Sequence, residues 1–393
     1  MACGAQMTVT LDNGAGERRN CPVAITLKTD SPLVKDAAGG KAVALTANGK
    51  KVAGAVLPSA EGYELAFVPE ALPAGKTVFE VTEGEAPLAN AVELLADNDL
   101  IRVSVGGRAL TTYDPRVKPT ERIWPVLHPL IGPGGVMLTR AFPLDGEPAE
   151  TKDHPHHQSV WTAHGDVNGI NFWHLKEGHG LVKQRACHKA GAPAAGRISA
   201  TLDWCDASGT KVLEENRTIT FWGTPDTARI IDFDAVFRAT ENDVKFGDTK
   251  EGGLLGVRLA DSMREKQMGD APKGKVSTSE GAADAKAAWG KPASWCDYSG
   301  PVGQITAGVA LLAHPKNIHH PMRWHVRDYG LMTANPFGLS DFMGKGNDGS
   351  RVLKKGESWR MRFRLIAHAG GAEEARLADA YRDYAEPPAA FVK

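Results

Sequence analysis

Short runs of alternating apolar and polar residues, each closed by a turn-forming cluster, recur along this chain and constrain its fold more than any other feature. Such a period puts one face of an extended segment in a core and the other in solvent, whereas a helix needs a repeat near 3.6. Before residue 100 the runs are MTVTLDN from Met7, PVAITLKT from Pro22, KAVALTANGKKVAGAVL from Lys41, YELAFVP from Tyr63 and TVFEVTEG from Thr77. Asn48-Gly49 inside the third is a hairpin signal. After residue 100 they include IRVSVGGRALTTY, RISATLDWCD, KVLEENRTITFWG, ARIIDFDAVFRAT, ITAGVALLAHP and SWRMRFRLIAHAG. The 43 glycines and 24 prolines among 393 residues suit the many turns this implies. Only 371–386 has helical spacing, through Leu377, Ala380, Tyr381 and Tyr384, and Pro387 and Pro388 stop it. The expected fold is all-β: a small β-sandwich accessory domain over 1–95, then a large antiparallel, supersandwich-like β-sandwich over 96–393 with a short C-terminal helix. The polar, Ala/Gly-rich stretch 264–293 is expected to be a long loop.

Charge narrows the partners. Lys and Arg total 46 against 47 Asp and Glu, without the basic surplus of a nucleic-acid binder. No apolar run reaches 18 residues, so no membrane-spanning helix is expected. The first residues lack the basic and apolar regions of a signal peptide. The expected location is cytoplasmic, or periplasmic or secreted with a leader removed, and Cys3-Gly4 would fit the remnant of a lipoprotein start. The five cysteines are too scattered for a disulfide framework, although Cys187 and Cys205 could meet across a hairpin. Oligomeric state is not encoded in any pattern here.

Histidine is distributed unevenly. None of the 13 precedes His128, eight lie from His128 to His188, four from His314 to His325, and His368 stands alone. All nine tryptophans lie at or after Trp124. The chemistry is therefore expected in the second unit.

Five stretches carry it. Asp153-His154-Pro155-His156-His157 puts three imidazoles beside a carboxylate. Pro155 favours an extended His154, which would aim His154 and His156 to one side and His157 to the other. Neutral imidazoles suit a divalent metal, so His154, His156 and His157 are candidate ligands for zinc or manganese, or less aptly calcium, and His156 is also a candidate acid or base. Next, Trp161 and the run His164 to Trp173 place Asp166 and Asn168 among indoles and an imidazole, a mixture suited to a sugar. The turn Lys250-Glu251-Gly252-Gly253, running toward Arg258, offers a cation and an acid/base carboxylate. Tyr298 in Trp295-Cys296-Asp297-Tyr298-Ser299-Gly300 could donate a proton. Finally His325, Arg327 and Tyr329 would share one face of an extended segment, with Asn335 just beyond, and charged groups are seldom buried unpaired. His128 precedes the first cluster as a further binding candidate. Nucleophile motifs are missing, and the formal GxGxxG at Gly344–Gly349 leads into a strand-like segment, so no nucleotide cofactor is expected.

Taken in order, HPL at His128, DHPHH, HGDVNGxNFW, KEGG, WxDYSG, WHVRDYGL and NPFG resemble the bacterial PmoA-like family, whose members are often labelled methane oxygenase PmoA. The resemblance spans about 100–370. It implies a carbohydrate role, and an oxygenase of the membrane-bound type would need spans that this chain lacks.

The function expected is a carbohydrate-active enzyme cleaving a glycosidic bond, a hydrolase or a lyase acting on a keto-sugar glycoside. His156, His164, Glu251, His325 and Tyr298 are the catalytic candidates. His128, Trp161, Asp166, Asn168, Trp173, Lys250, Arg258, Arg327 and Asn335 are the binding candidates. A metal-assisted route is preferred over a carboxylate pair such as Asp166 and Glu251. The alternatives are a metal-free mutarotase or epimerase, and a non-catalytic carbohydrate-binding protein.

Overall fold

The computed structural model describes residues 7–146, 149–267, 271 and 273–393. Cys3 lies outside them. Three antiparallel sheets dominate. In the first, seven strands run in the order Ala389–Val392, Met7–Asp12, Lys76–Glu83, Lys41–Ala47, Lys50–Ser59, Gly62–Phe67 and Val23–Leu27. It surrounds an aliphatic core that includes Val9, Ile25, Leu45, Leu65 and Phe79. The period-two pattern is visible in Val23–Leu27, where alternate residues are buried.

The other two sheets form the large sandwich. One has nine strands, in the order Pro292–Ala293, Met322–Arg327, Leu331–Ala334, Gly252–Arg258, Val160–His164, Val126–Leu127, Arg108–Asp114, Leu100–Val105 and Val92–Asp97. The other has eight strands, from Leu181–Ala192 at one edge to the short Lys275–Thr278 at the other. Their inner faces share one core, in which Trp124, Trp204, Trp324, Phe221 and Leu365 are essentially inaccessible. The first sheet rests on the eight-stranded sheet through small side chains, among them Ala44, Ala53, Ala55, Ala190, Ala192 and Ala310.

The all-β fold matches the expectation, and four local features differ from it. The last strand, Ala389–Val392, returns to pair with Met7–Asp12, so the first sheet draws on both ends of the chain. The C-terminal helix spans only Leu377–Ala385, because Arg376 takes a left-handed conformation (φ 52°) just before it. The stretch 264–293 contains a strand, Lys275–Thr278, paired with Trp295–Val302, and a one-turn helix, Ala285–Ala288, capped by the Asp284 carboxylate. Cys187 sits opposite Ala200 and Cys205 opposite Leu181, so these two thiols do not meet and both are free.

Among the described residues no helix is long and apolar enough to cross a membrane.

Candidate functional site

Strand register assembles the site. Along one row of the nine-stranded sheet, His325 pairs with Thr333, Thr333 with Gly256, and Gly256 with Trp161. One step along, Arg327 pairs with Leu331, and Leu331 with Arg258. Alternate residues share a face, so these two rows lie on the side opposite Trp324 and Val326, which point into the core. A cleft of about 400 Å³ lies on this face, lined by His154, His156, His157, His174, Lys250, Glu251, His325, Arg327 and Tyr329. The first, third and fifth stretches therefore converge, joined by His174, the residue just after the second, which sequence reasoning passed over.

The histidine segment is a turn. His154 has φ 42°, the left-handed region, where an extended conformation was expected. The His157 amide donates to the His154 carbonyl at 2.9 Å, and the fully buried Arg140 donates to the same carbonyl at 3.0 Å. The turn brings all three rings to one side. His154 stacks on Tyr329 with centroids 4.8 Å apart and on His157 at 4.9 Å, while His156 meets His157 edge-on at 4.4 Å. Asp153 anchors the turn: its Oδ1 accepts from Arg140 and, at 2.8 Å, from the equally buried Arg258. Burial pushes the Asp153 carboxyl up, but Arg258, His154 and Arg140 outweigh it and hold its pKa below the usual value.

These three rings were the expected metal ligands. His154 and His157 lie face to face and His156 meets both edge-on, and among the described residues no group of three or more His, Cys, Asp or Glu side chains is placed to hold an ion.

Two imidazoles have assignable tautomers. His325 Nδ1 lies 2.8 Å from the Lys250 carbonyl, which only accepts, so Nδ1 carries the proton and Nε2 is left with a lone pair. Asn171 Oδ1 accepts from the amides of Trp173 at 2.8 Å and His174 at 2.7 Å, which fixes Nδ2 as a donor. That Nδ2 faces His174 Nδ1 at 3.4 Å, so the His174 proton sits on Nε2, 4.0 Å from Glu251 Oε2. Burial lowers the pKa of His325 to about 4 and that of His156 to about 3, and pushes His157 well down, so these rings are neutral at pH 7. His174 is also lowered by burial, with Glu251 pulling the other way. Tyr329 is raised to about 12 by burial, against the nearby Arg327 and Arg258.

The KEGG turn holds the carboxylate. Lys250 Nζ lies 3.5 Å from Glu251 Oε1 and 3.7 Å from Asp341 Oδ1. Asn335, wholly buried, donates to the carbonyls of Thr249 and Lys250 at 2.9 and 3.0 Å and accepts from the Phe337 amide. It shapes the turn from behind, outside the cleft lining. A Cβ on Gly252 would sit 2.9 Å from His164 Nδ1 and 3.0 Å from Asn335, so the first glycine of the turn leaves no room for a side chain. Arg327 is exposed at the cleft, its guanidinium 5.7 Å from the Tyr329 ring centre, with no ion pair among the described residues.

Several candidates lie elsewhere. His164 is fully buried between Phe246 and Phe337, with Nε2 3.0 Å from the Gly247 carbonyl, which makes it a core residue. Tyr298 is buried, donates to the Asp328 carbonyl at 3.0 Å and accepts from the Glu265 amide, so its hydroxyl is occupied. Trp161 and Trp173 are buried behind His157, at 5.7 and 5.5 Å, and offer no free face to a ligand. Asp166 caps the Gly169 amide, and Asn168, at φ 54°, bonds Lys245 and Asp243; both pin their loop. Arg258 lies beneath the cleft, 4.9 Å from the Tyr329 ring centre. His128 pairs with Asp145 at 2.8 Å, away from the cleft. His174 was missed because it falls one residue beyond the HGDVNGxNFW run; only its adjacency to that run could have flagged it.

No curated protein matches the sequence. Among solved structures, the chain is similar to a galactose mutarotase related enzyme from Lactobacillus acidophilus, with 8% identity and a TM-score of 0.32 over 70% of this chain and 97% of that one. It is also similar to a GalM/aldose epimerase homologue from C. elegans, with 10% identity and a TM-score of 0.25 over 72% and 99%. A sequence profile for DUF6807, a family of unknown function, matches residues 100–382, well over half the chain, and the protein belongs to that family.

Proposed function

We propose that the protein is a carbohydrate-active enzyme that cleaves the glycosidic bond of an oxidised (keto) sugar by proton transfer. The observation that carries this reading is the set of groups around Glu251, among the described residues the one carboxylate in the cleft lining. An imidazole that presents a proton, His174, stands beside it, and one that presents a lone pair, His325, shares the cleft. Hydrolysis of an ordinary glycoside uses two carboxylates about 5–10 Å apart. Asp166 is committed to its loop and Asp153 to two arginines, so neither serves as the second.

A single base suffices where a carbonyl acidifies a neighbouring C–H. Glu251 takes that proton. The C–H electron pair forms an enolate, whose oxygen Lys250 and Arg327 are positioned to stabilise as charge develops. The enolate collapses to a C=C bond and expels the glycosidic oxygen from the adjacent carbon. His174 Nε2–H donates a hydrogen bond to that oxygen as it departs, and the proton held by Glu251 passes to it. His325 Nε2 accepts a sugar hydroxyl. The cleft lining mixes imidazole and phenol ring surface with charged and hydrogen-bonding groups, which suits a polyhydroxylated ligand.

A second reading is favoured by the same His174–Glu251 arrangement. Mutarotation needs one group to take the anomeric hydroxyl proton and another to protonate the ring oxygen. Incubation with 3-keto glucosides, followed by chromatography, and with freshly dissolved aldoses, followed by anomer exchange in NMR spectra, separates the two. Aglycone release that Glu251→Gln reduces by about 10² to 10⁴ supports cleavage. Anomer exchange without release replaces it with mutarotation, and unaltered turnover by Glu251→Gln removes both.

A further inference from the structure

A second groove, about 540 Å³, opens beside the cleft and is lined by Trp289, Arg327, Lys286, Glu265, Asp284 and Asp328 among others. Arg327 lines both spaces, so they share a wall. Each volume falls in the range of small-molecule sites, about 300–1,000 Å³. Trp289 is partly exposed; its indole N–H is shielded from solvent and has no acceptor among the described residues, so it is the ring face that borders the groove. It is held from behind by Phe342, edge to face with centroids 5.2 Å apart, and its backbone amide closes the short helix Ala285–Ala288. The position is therefore fixed while the indole still borders open space. In this respect it differs from Trp161, Trp173 and Trp324, which are enclosed. Large rigid aromatics bind at low entropic cost, and the exposed Asp328 and Lys286 supply partners for hydroxyls.

We propose that this groove is the subsite for the second unit of the substrate, a further sugar ring or comparable aglycone, which stacks on Trp289 while Arg327 reaches the linkage between the two spaces. The proposal rests on the carbohydrate reading above and adds that the natural substrate is a glycoside of at least two units.

The test uses the full chain labelled with ¹⁵N-tryptophan. The indole signal of Trp289 is identified by its loss in Trp289→Phe. Glucose, cellobiose, maltose, lactose and melibiose are then titrated in turn. At least one disaccharide is expected to shift the Trp289 signal, with glucose leaving it in place. If no disaccharide moves it, or glucose moves it equally, the subsite is overturned. Glu251→Gln is expected to keep the disaccharide shift while losing turnover. A fully active Glu251→Gln with the shift intact would remove the mechanism and leave the subsite standing. On a cleavable glycoside, Trp289→Ala is expected to raise KM about tenfold with kcat little changed, the sign of lost uniform binding.

Discussion

His174 and His325 face one cleft with opposite tautomers: Nε2 of His174 carries its proton, and Nε2 of His325 carries a lone pair. Neither state is set by the rings themselves. Asn171 imposes the first and the Lys250 carbonyl the second, so each imidazole is oriented by a neighbour that need not touch the ligand.

Asn171→Asp tests this directly. The new carboxylate oxygen would face His174 Nδ1 and accept from it, moving the proton off Nε2. The backbone bonds to Trp173 and His174 would survive through the other oxygen. Long-range ¹H–¹⁵N spectra should show His174 switching tautomer while His325 keeps its Nδ1 proton. Turnover should fall by about 10²-fold, the usual cost of losing one donor to a developing oxyanion. A wild-type His174 already protonated at Nδ1 would contradict the assignment.

Asp153 should be structural, despite its place in the histidine cluster. It pairs with two wholly buried arginines, Arg140 and Arg258, and removing it leaves their charge with still less compensation. Asp153→Ala should therefore cost about 3–5 kcal/mol of stability. Arg258→Met with Asp153→Asn should recover part of the loss, because it removes one of the two stranded charges. Urea unfolding of the single and double variants decides it; equal midpoints for wild type and Asp153→Ala would mean that the node carries no weight.

The strands were legible in the sequence because period-two alternation is a local property, and the burial pattern of Lys211–Trp222 follows it closely. The site was legible as segments, since His154–His157, Lys250-Glu251 and His325–Tyr329 are dense in groups that a core tolerates poorly. Their individual roles were not. The expected extended run at His154 gave way to a turn because Arg140, distant in sequence, holds the His154 carbonyl. His164 and Tyr298 resembled site residues in composition, yet His164 is enclosed with its Nε2 on the Gly247 carbonyl, and the Tyr298 hydroxyl is taken by the Asp328 carbonyl. Trp161 lies on the same sheet face as His325, but His157 covers it. Occupancy and cover depend on long-range contacts, which no local pattern reports.

Trp161 should then affect stability more than affinity. Trp161→Phe keeps a ring under His157 and is expected to leave KM for a verified substrate within about twofold. Trp161→Ala opens a cavity and should cost roughly 3–5 kcal/mol. A large rise in KM for Trp161→Phe, with unchanged thermal stability, would instead mean that the ring contacts the ligand.

Gly252→Ala probes the KEGG turn from the other side. Its Cβ would press on His164 Nδ1 and on Asn335, both buried. Overpacking of this kind costs about 1–3 kcal/mol. Because Asn335 also holds the Lys250 carbonyl that sets the His325 tautomer, the variant should lose kcat at temperatures where it remains folded. Full activity in a destabilised Gly252→Ala protein would detach the turn from the chemistry.

Acid should unfold the protein earlier than its carboxylates alone require. His164 and His325 are buried and neutral, with pKa values of about 4, against roughly 6.5 in the unfolded chain. Between those values the unfolded state binds protons that the folded state excludes, so their contribution is intact above pH 6.5 and is lost as pH falls toward 4. For the inaccessible His164 the loss is on the order of 3 kcal/mol. His368 behaves in the opposite sense: burial disfavours its charge, but the contact with Asp297 at 2.8 Å outweighs that and raises its pKa. Its contribution is present below the unfolded value and is lost as pH rises through the folded one. Thermal melts from pH 4 to 8 should therefore show a steep drop below about pH 6, which His164→Gln should reduce. Removing the His368 pair with Asp297→Asn should lower stability most at the acid end and least near pH 8. A His164→Gln protein with the same acid slope as wild type would mean that this imidazole is charged, or solvated, in the folded state.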